Sequence, residues 1–116
     1  MKIIMNEEGI KNTRSALRWL EEYLPNLIPS GVDLYSDIGI IHHWEDWIDK
    51  NPTLDMPYPY IIQMIALWMA TGWSTGDYGE IFRWYSSHKE FIKKKVTPHT
   101  IEVIENILSQ IEDKLG

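Results

Sequence analysis

The sequence predicts an all-α protein: a single compact domain, 1–116, built as a bundle of about five helices around a buried apolar helix near residues 57–71. Three observations carry this. The apolar residues recur at helical spacing in nearly every segment, with Pro and Gly at the breaks. The chain of 116 residues has the commonest domain size. It also contains no cysteine, so the core alone must hold the fold, and disulfides, thiolate metal sites and Cys nucleophiles are excluded.

The first helix is expected after Asn6 as N-cap, with Glu7 and Glu8 in a first turn whose dipole favours acids. Ile10, Leu17, Leu20 and Leu24 form its stripe, and Pro25 ends it. A second helix fits between Asp33 and Lys50, stopped by Asn51-Pro52, although 31–41 also suits an extended segment. The third runs from about Pro57 to Thr71. It is apolar on every side, the mark of a helix covered by others, and Gly72 is its expected stop.

Helix four is expected to open on Asp77 and Glu80, a capping box with Asp in place of Ser or Thr. Its apolar arc holds Tyr78, Ile81, Phe82, Tyr85, His88 and Ile92, flanked by Trp84 and Phe91; a core histidine is the expectation for His88. Thr97 caps helix five, Pro98 takes its first position, and Ile101, Ile104, Leu108, Ile111 and Leu115 face inward.

Net charge is −6 and unevenly spread: eight acids against one base from Asp33 to Glu80, then five bases against one acid from Arg83 to Lys95. An acidic chain is repelled by phosphate backbones, so the expected partner is a basic protein rather than nucleic acid. Lys93, Lys94 and Lys95 read as cations complementing a helix C-terminus. The longest apolar run, Tyr60 to Ala70, is broken by Gln63 and falls short of the ~20 residues of a membrane span. The N-terminal apolar stretch is too short for a signal peptide, so a soluble, cytoplasmic protein is expected.

The stretch His42-His43-Trp44-Glu45-Asp46 has the composition of a metal or catalytic site. Adjacent helical residues diverge by about 100°, so only His42 and Asp46 share a face, and a zinc site needs more protein ligands. No metal and no cofactor are therefore expected. GWSTGDYG lacks the Gly-Lys-Ser/Thr of a phosphate loop. No Gly-x-Ser-x-Gly nucleophile motif is present, and no catalytic residue is assigned.

What these assignments leave over is the aromatic load of six tryptophans and six tyrosines. Trp19 lies off the stripe of helix one, Trp73 beside glycines, and Tyr58 in the Pro-rich stretch DMPYPY. Aromatics beside acids are the composition of an interface centre with a charged rim. The expectation is a protein-binding module, an inhibitor or immunity-type protein. In it Glu45, Asp46, Asp49, Asp55 and Asp77 steer a basic partner, while Tyr58, Trp73 and Trp19 anchor it. Two alternatives stand beside this reading. One is a small hydrolase, working through a metal at His42 and Asp46 or on carbohydrate through Asp77 and Glu80. The other is a subunit that self-associates through its aromatic surface.

Overall fold

The computed structural model describes residues 7–31, 33–35, 48–51 and 53–115. Among them every regular element is helical: α1 (Glu7–Tyr23), a 3-10 turn (Pro25–Leu27), α2 (Tyr58–Trp73), α3 (Glu80–Lys93) and α4 (Pro98–Leu115). Residues 48–50 are also helical. The expected Asn6 cap, the side chain of Ile10, most of the expected second helix with His42, His43, Glu45 and Asp46, and Pro52 lie outside the described residues. The radius of gyration, 13.4 Å, is what one folded body of this length has.

α2 is the central helix. It carries nine buried residues, Ile61, Ile62, Met64, Ile65, Ala66, Trp68, Met69, Ala70 and Gly72, spread around its circumference, so it needs cover on several sides. α1 gives the broadest cover, with Ala16, Leu17 and Leu20 fully buried, and Thr13 buried beside them. α3 contributes Ile81 and Tyr85, and α4 adds Ile104, Ile107, Leu108 and Ile111. Leu115, expected inside, is 37% exposed because the helix has run past the core by then.

Polar ties fix the segment after α1 against α2. The Tyr58 hydroxyl donates to the Leu27 carbonyl at 2.7 Å, and Gln63 Nε2 donates to the Leu34 carbonyl at 3.0 Å. Gln63, which breaks the apolar run, thus satisfies a loop carbonyl that burial would otherwise strand. Tyr35, nearby, has its hydroxyl pushed up to about 12, first by burial and then by the neighbouring Glu21 carboxylate.

α4 starts as its sequence dictates. The Thr100 N–H donates to the Thr97 hydroxyl at 3.3 Å, completing an N-cap ahead of Pro98. The Thr97 hydroxyl spends its one hydrogen on Asp55 Oδ1 at 2.5 Å. Thr100, fully buried, accepts from the Met56 N–H at 3.0 Å. Thr97, which caps α4, and Thr100 in its first turn therefore clasp the loop that leads into α2.

Two of the lysines at the end of α3 meet neighbours on the same segment. Lys93 lies 3.9 Å from Glu90, and Lys95 sits over the Phe91 ring at 5.4 Å. One turn earlier, Glu105 of α4 accepts from the Tyr85 hydroxyl at 3.1 Å and pairs with Lys89 at 3.0 Å. Lys89 holds the Glu105 carboxyl below its usual range, whereas burial pushes the Tyr85 phenol well up.

Candidate functional site

The junction between α2 and α3 places the side chains that matter most here. The Asp77 N–H donates to the Gly72 carbonyl at 2.9 Å and the Gly76 N–H to the Trp73 carbonyl at 3.2 Å. Those two bonds are the Schellman pattern, which requires a left-handed residue at its penultimate position, and Gly76 supplies it with φ of 79°. The stop is therefore Gly76, four residues beyond the expected Gly72. Gly72 is glycine for another reason: the Asp77 carbonyl packs where a side chain would begin, and the Glu80 carboxylate lies 3.2 Å from the same point.

The capping arrangement also differs from expectation. α3 begins at Glu80 after Gly79, with no side chain closing its first turn. Asp77 instead accepts from the Gly79 N–H at 3.2 Å, an Asx turn, and its other oxygen is bound by Arg83. The helix thus starts after Tyr78, which is freed from the apolar arc and left 52% exposed.

This junction brings together two of the residues singled out in sequence. Trp73, the last residue of α2, meets Trp19 of α1 at 6.3 Å between ring centroids, with planes 86° apart. Trp73 also meets Tyr78 at 5.2 Å and 82°. Trp19 meets Tyr23, one helical turn on, at 5.4 Å and 42°. The result is a continuous row, Tyr23, Trp19, Trp73, Tyr78, half-buried in the middle and exposed at both ends, Tyr23 by 45%. Such near-perpendicular pairs are favoured because the positive edge of one ring meets the negative face of the next.

Acids border this ledge. Glu22, exposed, follows Trp19 by three positions and so neighbours it on the helix surface. Glu80 reaches over Gly72 beside Trp73. Asp77 and Arg83 form an exposed ion pair next to Tyr78.

The remaining predicted residues are not gathered here. Tyr58 begins α2, about 22 Å from Trp73 along the helix axis, with its hydroxyl bonded to Leu27. Asp55 is bonded to Thr97, and Asp49 borders a groove with Lys95 and Val96. Those two acids thus flank the α3–α4 turn, at the far end of α3 from Asp77. Glu45 and Asp46 lie outside the described residues. The expected single acidic, aromatic face is thus assembled in part: Trp19, Trp73 and Asp77 come together, and Asp49, Asp55 and Tyr58 lie elsewhere.

Two concavities accompany the ledge. A groove of about 430 Å³ runs between Ile48, Asp49, Trp68, Trp84, Phe91 and Lys95. In it Trp84 packs on Trp68 at 4.9 Å and stacks with His88 at 4.5 Å and 19°. His88 is exposed rather than in the core, its Nδ1 lying 2.8 Å from the Trp84 carbonyl; the stack carries it to the surface side of the tryptophan. The second concavity is a shallow polar depression lined by Thr71, Ser74, Asp77, Glu80, Arg83 and Ser87. Among the described residues no group of three or more His, Asp or Glu is placed to hold a metal ion. No described helix is long and apolar enough to cross a membrane.

Residues 41–110 match the model of a family of unknown function, DUF5662. The chain belongs to that family. No curated protein and no solved structure matches it. The matched span holds both concavities and the Trp73 and Tyr78 half of the ledge, while Trp19 and Tyr23 precede it.

Sequence reasoning passed over Tyr23 and misplaced Tyr78. The i,i+4 spacing of Trp19 and Tyr23 was the available signal for the first. The second depended on where α3 starts, which the loop geometry decides.

Proposed function

We propose that this protein is a non-catalytic binding module that docks its aromatic ledge on a basic protein partner. A nucleic-acid-binding or nucleic-acid-cutting enzyme held by an inhibitor or immunity-type protein fits that chemistry. The observation that carries the reading is the convergence of Trp19 and Trp73 from different helices, extended at both ends by exposed tyrosines and bordered by Glu22 and Glu80. Tryptophan and tyrosine dominate binding energy at interface centres, and surrounding acids steer a cationic partner. Asp49, with Glu45 and Asp46 close to it in sequence, adds long-range steering.

Affinity capture with the wild type, a Tyr23→Ala/Tyr78→Ala variant and a Glu45/Asp46/Asp49 charge-reversed variant tests this, with folding of each checked by circular dichroism. The expected outcome is one basic partner, lost with the tyrosines, whose association with the charge-reversed protein is slower and less salt-dependent. Capture that ignores both changes would sink the reading.

A second reading, carbohydrate-directed hydrolysis, draws support from Asp77 and Glu80 both lining the polar depression. Each also has a structural post, Asp77 holding Arg83 and Gly79 and Glu80 covering Gly72. Glycosidase turnover abolished by Glu80→Gln would put this reading ahead of the first.

A further inference from the structure

The ledge has a recognition chemistry more specific than apolar contact. We propose that it reads an arginine-bearing segment of the partner, with guanidinium groups lying on the ring faces that the row leaves open. This rests on the binding reading above and names what that surface recognises.

Successive ring centroids are 5.4, 6.3 and 5.2 Å apart. The rings therefore lie close enough together for one short segment of a partner chain to meet several of them. A cation is attracted within about 6 Å of a ring centroid, most strongly by tryptophan. The planes of successive rings turn through 86° and 82° in the centre of the row, so neighbouring rings orient their faces in different directions, and guanidinium groups of one segment reach them from more than one side. A guanidinium is planar and weakly hydrated, and it stacks on such faces while its N–H groups remain free for carboxylates. Glu22 and Glu80 stand at the border to receive them. Arg83, on the Tyr78 side of the row, is already held by Asp77. The row is several rings long, more than a single small cation would cover, which favours a chain segment as its occupant.

The test uses the full protein and a peptide of alternating glycine and arginine. A second peptide carries citrulline, the neutral counterpart of arginine with the same shape. Nitrogen-15 spectra follow the tryptophan indole N–H signals during titration. The expected result is movement of the Trp19 and Trp73 indole signals by the arginine peptide, with citrulline binding about tenfold weaker. Tyr23→Leu and Tyr78→Leu, both at exposed positions, should each weaken the arginine peptide several-fold while leaving the rest of the spectrum in place. Equal binding of the citrulline peptide, indifference to both tyrosine variants, or no movement of those indoles would each overturn the inference. If that happens while the Tyr23→Ala/Tyr78→Ala variant still loses its native partner, the module reading stands and only the arginine chemistry falls. If the variant keeps its partner, the binding reading itself falls.

Discussion

Trp68 and Trp73 stand five residues apart on the same helix, so they point about 140° apart around its axis. Each meets a second tryptophan from another helix, Trp84 at 4.9 Å for the first and Trp19 at 6.3 Å for the second. The outcomes differ. Trp68 is 9% exposed, and its cluster runs through buried Tyr85 to the Lys89–Glu105 pair on one side and through Trp84 to exposed His88 on the other. The Trp73 cluster continues outward through two exposed tyrosines. Residue type does not separate structural from surface aromatics here. What separates them is whether the next element along the row closes over the rings or ends beside them. α3 closes over Trp68, whereas the 74–79 turn and the end of α1 stop beside Trp73 and Trp19.

The comparison breaks first at Trp68. Trp68→Ala should cost about 3–5 kcal/mol, read as a lower urea midpoint, because it leaves a cavity between α2 and α3. A loss under about 1 kcal/mol would mean that the Trp68 cluster is as superficial as the ledge.

A smaller effect follows from the ion pair behind that cluster. The Glu105 carboxyl is held low by Lys89, so its contribution is present above the ordinary glutamate range and is lost as pH falls below about 4. The Tyr85 phenol is raised by burial, so its contribution is present below about pH 10 and is lost as pH rises further. Melting temperature against pH should therefore fall at both extremes, and Glu105→Gln should flatten the acid limb. An unchanged acid limb in that variant would remove Glu105 from the account.

The smallest expected effect sharpens the contrast. Tyr23→Ala and Tyr78→Ala should each change stability by no more than about 0.5 kcal/mol, since both rings are exposed, although each removes a member of the ledge. Denaturant curves displaced by several times that amount would show that the ledge is a lid of the core and weaken its case as a docking surface.

Much of the fold is written in local patterns. Thr97-Pro98 announces α4 because a cap involves neighbours only, and the apolar character of 60–70, interrupted by Gln63, announces α2 because a helix buried on several sides can spare little polar face. The errors arise where a distant partner decides. Gly72 resembles a stop signal, but its lack of a side chain serves the carbonyl of Asp77, and the stop falls at Gly76. His88 lies on the apolar arc, but Trp84 fills the space against Trp68 and leaves the imidazole stacked outside. The acidic stretch looks like one patch in a charge count. In three dimensions Asp77 is taken by Arg83 of the basic stretch and Asp55 by Thr97. Trp19 and Trp73 could each be singled out as unexplained, but their meeting is a property of α1 packing on α2, which no local pattern encodes.

The clasp between Thr100 and the Met56 N–H joins positions 44 residues apart. Contacts of such separation carry a large loop-closure cost, so this bond should form only once α4 has docked. The Met56 amide is buried against α4 rather than secured within a helix of its own, and its hydrogen exchanges with solvent only when that docking is undone. A single backbone amide ahead of the central helix thereby becomes a timer for the last helix of the chain, recording how often the bundle opens at its C-terminal end.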